Sequence, residues 1–131
     1  MTSKLVLDNL AGRTTAGSIT IVGEGNSTTT NLQQGIAKCW WQVDGSGTPA
    51  FHGSFNCSSV ADSATGQPTI TLTNYMANTN FSHTYGGISH VNVGALDSRF
   101  SASVIGLRTR GSNDSDSDVD HTTCTIHGDL A

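Results

Sequence analysis

The sequence predicts an all-β protein, a single small antiparallel β-sandwich or barrel-like domain that follows an extended N-terminal arm. The composition is the first observation behind this prediction. The 131 residues include 18 Thr, 16 Ser and 9 Asn but only one Glu and two Lys. Threonine favours strands, whereas Gly, Asn and Ser favour turns. The second observation is that good helix formers are scarce and no segment shows helical periodicity.

The first 34 residues differ from the rest and predict an arm, residues 1–34, before a compact domain, residues 35–131. The arm contains two β-like pieces, SKLVLDNLAG and SITIVGEG, and no aromatic residue occurs before Trp40. Because these pieces have too little bulk for a core, we expect the arm to pair with the domain, a neighbouring copy or a larger scaffold. A disordered tail is the alternative. The residues expected to make contacts with a second subunit or with such a scaffold are Leu5, Val6, Leu7, Ile19, Ile21 and, in the domain, Trp40.

The domain is expected to begin with a β-hairpin. In Ala37 to Val43 the alternation places Trp41 on the inner face, with Cys39 and Val43, and Trp40 on the opposite face. The loop DGSGT suits a hairpin turn, and the return strand runs from Ala50 to Val60. Phe51, Phe55 and Cys57 occupy odd-numbered positions on that strand, so we expect their side chains on the same face. We expect the arm or a second protomer to cover Trp40.

Further strands are predicted along the rest of the chain. TITLT alternates with Ile70 and Leu72 inward, and a turn-rich link, NYMANTNFSHTYGG, follows. Alternation returns in ISHVNVGAL, in Arg99 to Leu107 and, after the polar loop GSNDSDSDVD, in HTTCTIHG. Six or seven short strands at this spacing are typical of a sandwich or small barrel.

Charge and hydropathy exclude several classes of partner. The net charge is −4 and no basic cluster exceeds RTR, so we expect no nucleic-acid binding. No apolar run is long enough to span a membrane, and the N-terminus lacks a secretory apolar region. We therefore expect a soluble protein made in a cytoplasm.

Residue types that carry chemistry do not form a recognisable site. The chain lacks G-x-S-x-G, H-E-x-x-H, a phosphate loop and a dinucleotide fingerprint, so we expect no enzyme and no cofactor. The four alternate aspartates of DSDSDVD, Asp114 to Asp120, are expected to form a solvated loop, with a calcium site as the alternative. If HTTCTIHG is a strand, Cys124 points to the opposite face from His121 and His127, which argues against a metal site. Three cysteines indicate buried free thiols and not a disulfide framework.

A resemblance to a known family covers about a third of the chain. The order GIAKCWWQVDGSGT, SFNCSSVAD, TGQPTITLTNYM and ANTNF resembles a small domain of bacteriophage tail-fibre-like and other virion surface proteins. The arm LVLDNLAGRTTAGSITI also looks like the opening of such proteins. Cys39 and Cys57 depart from the pattern. The positions that carry the resemblance are Lys38, Trp40, Gly45, Gly47, Thr48, Ser54, Phe55, Asn56, Ser58, Ser59, Asp62, Gly66, Thr69, Thr73, Met76, Asn80 and Phe81.

The resemblance implies a virion structural protein. An arm joined to one compact domain suits a capsid decoration (cement) protein, a homotrimer whose arm adds strands to the major capsid protein or another virion protein. A short tail fibre, tail adaptor or host-binding fibre tip is the alternative. A free binding module or enzyme with a sandwich fold is the third reading.

Overall fold

The computed structural model describes residues 4–13, 18–23, 25, 28–87 and 92–131. It consists mostly of β-strands in antiparallel sheets with almost no helix, which confirms the predicted all-β class. The chain divides into two compact units, Met1–Ile36 and Ala37–Ala131. All of the buried apolar side chains in the described part of the chain belong to the second unit. The second unit therefore has a hydrophobic core of its own.

The N-terminal unit contains a short antiparallel hairpin of β1 (Thr20–Val22) and β2 (Thr29–Asn31). One helical turn, α1 (Leu32–Gly35), follows, and the Asn31 side chain caps it by accepting a hydrogen bond from the Gln34 amide. Four residues are too few to show helical periodicity, so the sequence could not predict α1. The β-like piece SKLVLDNLAG is not a strand in its described residues 4–12, because no described strand pairs with it.

The second unit is a sandwich of two four-stranded antiparallel sheets among the described residues. Sheet I has the order β4-β3-β10-β7 and sheet II the order β5-β6-β9-β8. One cluster of buried side chains from both sheets fills the space between them. The eight strands are β3 (Ala37–Asp44), β4 (Ala50–Phe55), β5 (Cys57–Asp62), β6 (Pro68–Leu72), β7 (Ser82–Gly87), β8 (Asn92–Phe100), β9 (Val104–Arg110) and β10 (Thr122–His127).

The alternation predicted for the central strands is confirmed. On β3 the inner residues are buried and Trp41 is 1% exposed, whereas Trp40 on the opposite face is 43% exposed. Ile70 and Leu72 of β6 are buried opposite this strand, as expected from TITLT. The core is completed by Met76, Ile105, Leu107, Cys124 and Ile126.

The predicted return strand from Ala50 to Val60 is wrong, because the chain turns a corner at Asn56. This residue has a φ of 60°, in the left-handed region, and separates β4 of sheet I from β5 of sheet II. Its side-chain amide donates to the carbonyl oxygens of Lys38 and Asn74, both at 3.0 Å. Its Oδ1 accepts from the Asn74 amide at 2.7 Å. Asparagine suits this conformation because its short polar side chain can bond to nearby backbone.

Two further strand boundaries differ from the prediction. The turn-rich link ends in a strand, β7, which pairs with β10 along its whole length. His83 and Tyr85 lie on the same face of β7, where the His83 ring contacts Phe100 and Tyr85 packs against the core. The single strand predicted from Arg99 to Leu107 is interrupted at Ser101, whose side chain accepts a hydrogen bond from the Val104 amide and closes a turn. The first four residues of ISHVNVGAL lie outside the described residues.

Candidate interaction surfaces

The N-terminal unit exposes most of the apolar residues that were predicted to make contacts. Leu5 is 80% exposed and Val6 is 73% exposed, and Leu7 and Ile21 are each 52% exposed. Ile19 is half-buried, and its carbonyl oxygen accepts a hydrogen bond from the Leu32 amide at 2.9 Å. Leu10 and Val22, which were not predicted, are exposed as well. Exposed apolar side chains grouped in one short segment are typical of a surface that a partner covers.

The outer face of sheet I carries an aromatic pair. Trp40 of β3 lies directly opposite Phe55 of β4, and the same cross-strand line continues through Thr125 of β10 to Thr84 of β7. We call these four residues the Trp40 row. Trp40 is 43% exposed and Phe55 is 53% exposed. The row therefore presents two large aromatic side chains to solvent on the β4–β3 half of the sheet and two threonines on the β10–β7 half.

Glycine on the edge strand β4 sets the position of the tryptophan ring. A Cβ atom built at Gly53 would lie 3.4 Å from Cζ3 of Trp40 and 3.6 Å from Cη2, so the ring covers this glycine. Gly53 belongs to the neighbouring cross-strand line with Gln42, Thr123 and Gly86. This line contains no charged residue. The middle of the outer face is therefore a polar but uncharged surface around an aromatic pair.

Phe55 is the surface residue that the sequence failed to predict. Strand parity groups it with Phe51, which packs against the core. A register shift in the β3–β4 pairing, between Gln42 and Val43, changes the parity. Phe51 therefore lies opposite Val43 on the inner side, and Phe55 lies opposite Trp40 on the outer side. No local pattern in the sequence marks this bulge.

The acidic loop docks onto two arginines of β9. Arg108 makes a two-point contact with the Asp116 carboxylate, Nε to Oδ1 at 2.9 Å and Nη2 to Oδ2 at 3.1 Å. Arg110 contacts Asp116 at 3.3 Å and Asp114 at 3.0 Å. Hydrogen bonds from Arg108 hold the pKa of Asp116 below its ordinary value. Asp118 accepts a hydrogen bond from the Gly66 amide at 2.6 Å, which ties the loop to the turn before β6.

This arrangement gives the alternate aspartates a role in the fold. Three of the four carboxylates are directed at arginine or at backbone N–H, and the loop is not simply a solvated one as predicted. Within the described residues, no group of three or more His, Cys, Asp or Glu side chains converges as a metal site would require. The residues that resemble metal ligands by type are also dispersed. Cys124 is buried in the core, while His121 stacks on His52 with ring centroids 4.7 Å apart.

The three cysteines are free thiols, as predicted. Cys39 and Cys124 are buried, but Cys57 is half-buried, so the prediction that all three are buried is wrong. Cys57 is the first residue after the Asn56 corner, which leaves it at the margin of the core. Its sulfur lies 3.3 Å from that of Cys39.

No helix among the described residues is long and apolar enough to cross a membrane. Comparison with protein-family models, with curated proteins and with solved structures found no match to this chain.

Proposed function

We propose that this chain is a structural protein of a bacteriophage virion, a capsid decoration protein that binds and stabilises the capsid surface as a homotrimer. One observation carries the proposal. The described buried apolar residues all lie in the sandwich, whereas the N-terminal unit leaves Leu5, Val6, Leu7 and Ile21 exposed. A segment built in this way removes little apolar surface from water when it folds alone, and it is stabilised much more when a partner covers that surface. The motifs from Gly35 to Phe81 supply the class of partner.

The N-terminal hairpin offers a way to attach. β1 and β2 form a two-stranded sheet, and a two-stranded ribbon has two edges at which a strand of the major capsid protein can be added. Strand addition uses main-chain hydrogen bonds, and the exposed apolar side chains then select the site. The sandwich remains outside this contact and keeps its own core.

The Trp40 row is the surface that we assign to contact between copies. An aromatic pair within a polar, uncharged surface resembles the centre of a protein interface, where aromatic residues are enriched and charged residues depleted. Placing this face against a second copy removes the exposed area of Trp40 and Phe55 from water. Light scattering of the purified protein tests the homotrimer, and a monomer at all concentrations would contradict it.

A second candidate is a short tail fibre, tail adaptor or host-binding fibre tip. The observation that favours it is the same exposed pair of Trp40 and Phe55, which can contact a host receptor instead of a second copy. The DGSGT turn between β3 and β4, in which Asp44 accepts hydrogen bonds from Ser46, adds a loop whose residues 46–48 are exposed.

The two candidates differ in copy number. Decoration predicts hundreds of copies per particle, and a tail location predicts tens or fewer. Quantitative gel densitometry of purified virions, with the major capsid protein in the same lane as the internal standard, measures this number. A low copy number confined to tail fractions would replace the first proposal by the second. Absence from purified particles would reject both.

Deleting residues 2–30 tests the attachment mode. Because the buried core lies within Ala37–Ala131, we expect the truncated protein to fold with a melting temperature close to that of the full chain. We also expect it to lose binding to particles that lack the protein. The matched control replaces only Leu5 and Leu7 by serine and should weaken binding without changing the melting temperature. Full occupancy by the truncated protein would place the docking surface on the sandwich.

A further inference from the structure

The corner at Asn56 brings together two thiols that are 18 residues apart in sequence. The Sγ atoms of Cys39 and Cys57 lie 3.3 Å apart. Cys39 lies on β3 of sheet I and is fully buried, whereas Cys57 begins β5 of sheet II and is half-buried. The pair therefore joins the two sheets at the point where the chain crosses between them.

The two thiols have different surroundings. The Cys57 sulfur lies 3.5 Å from the carbonyl oxygen of Phe55 and 3.7 Å from that of Trp40, on the partly exposed side. The hydrogen bond from the Cys39 thiol lowers the pKa of Cys57, and the same hydrogen bond together with burial raises the pKa of Cys39. Burial raises the pKa of Cys124 to about 12. Among the three cysteines, Cys57 is thus the one that is both accessible and more easily deprotonated.

We propose that Cys39 and Cys57 form an oxidisable dithiol that closes reversibly to a disulfide by exchange with a low-molecular-weight disulfide such as oxidised glutathione. Cys57 is the attacking thiol and Cys39 is the resolving thiol. Cys124 takes no part. The proposal does not depend on the virion function.

The exchange balances in two steps. The Cys57 thiolate attacks one sulfur of glutathione disulfide, which forms a mixed disulfide and releases one glutathione thiolate. Cys39 then attacks the Cys57 sulfur, the mixed disulfide breaks and the second glutathione leaves. The dithiol loses two electrons, which reduce one glutathione disulfide to two glutathione molecules, and the two thiol protons of the protein go to these leaving groups. The fully buried Cys39 is shielded from the external reagent, which sets the order of attack.

Closure needs only a local movement. A disulfide bond is about 2.05 Å long, so the sulfur atoms, now 3.3 Å apart, must approach by about 1.2 Å. The bond would connect sheet I to sheet II across a loop that starts on β3 and ends on β5. A cross-link over a loop of this length restricts the unfolded chain, so we expect the melting temperature to rise by roughly 10–20 °C.

The test uses the full chain, equilibrated with oxidised glutathione and then alkylated. We expect one free thiol to remain, on Cys124, and peptide mapping to find the Cys39–Cys57 bond, with the melting temperature raised and restored by dithiothreitol. The Cys39→Ser variant should stop at one glutathione attached to Cys57, and Cys124→Ser should close as the wild type does. Three remaining thiols in the wild type, a bond that includes Cys124, or a Cys39→Ser variant without the adduct on Cys57 would overturn the proposal. If a variant does not fold, the wild-type map alone decides.

Discussion

We expect Asn56→Ala to lower the free energy of unfolding of the sandwich by about 2–4 kcal/mol, because this side chain fixes the corner between the two sheets. The substitution removes three hydrogen bonds to backbone groups of Lys38 and Asn74. It also leaves an alanine at a φ of 60°, a conformation that asparagine tolerates far better.

The magnitude follows from these two losses. A hydrogen bond contributes about 0.5–1.5 kcal/mol net, and we take the lower half of this range because two of the three bonds are solvent-exposed. Relative to asparagine, which tolerates this φ, alanine in the left-handed region adds roughly 0.5–1 kcal/mol, so the total is about 2–4 kcal/mol. Asn56→Gly loses the same hydrogen bonds but accepts the positive φ, so it should be more stable than Asn56→Ala by roughly 0.5–1 kcal/mol.

Urea unfolding and thermal melts of the purified variants measure the effect. A loss of 2–4 kcal/mol corresponds to a decrease in melting temperature of roughly 10–30 °C for a domain of this size. Asn78→Ala is the matched control, because Asn78 accepts one hydrogen bond, from the Asn80 amide in an exposed turn. It should cost less than about 1 kcal/mol. If Asn56→Ala costs no more than this control, or if glycine is no better than alanine, the explanation of the corner is wrong.

Three further substitutions test other parts of the structure. Asp116→Asn should lower the melting temperature at pH 7, because hydrogen bonds from Arg108 depress the pKa of Asp116 in the folded protein. The difference in melting temperature between variant and wild type is fully present above the pKa that Asp116 has in the unfolded chain, and it should vanish as the pH falls through the folded-state pKa. A difference that does not change with pH would contradict this explanation. Gly66→Ala should lower the free energy of unfolding by about 2–4 kcal/mol, because φ is 67° and the new Cβ would lie 2.5 Å from a carbonyl oxygen of β9. Gly47→Ala, where φ is 75° but the space around the glycine is open, should lower it by only about 1 kcal/mol in the same urea titration. Trp40→Ala should fold but remain monomeric in light scattering, and a folded variant that still forms the trimer would contradict the assignment of this face to contact between copies.

Strand alternation was the most reliable information in the sequence. The buried and exposed positions of β6, of β10 and of β3 from Cys39 onward agree with the prediction because side-chain direction along a strand alternates with every residue. Lys38, which the alternation places on the outer face with Trp40, is instead buried at 8% exposure. The prediction from alternation failed at two places where a single residue changes the course of the backbone. A bulge between Gln42 and Val43 moves Phe55 to the outer face, and the positive φ of Asn56 divides one predicted strand between two sheets.

The candidate surfaces were predictable to different degrees. The choice of Leu5, Val6, Leu7, Ile21 and Trp40 as surface contact residues followed from composition and strand alternation, and the structure leaves all five exposed. The pairing of Arg108 with Asp116 could not be predicted, because the aspartates alone suggest a solvated loop or a calcium site. Only the antiparallel approach of the loop to β9, marked by the Arg110–Asp116 bridge, brings these charges together.

By itself, the sequence determined that this protein is all-β, that its core includes Trp41, Ile70 and Cys124, and that Trp40 lies outside that core. These properties depend on neighbouring residues along one strand, and local alternation records them. The tertiary structure alone decided which strands share a sheet, where the chain changes sheets and that Cys39 meets Cys57. Such contacts join residues distant in sequence, and they depend on the conformation of single residues, above all the left-handed Asn56, that periodicity does not report.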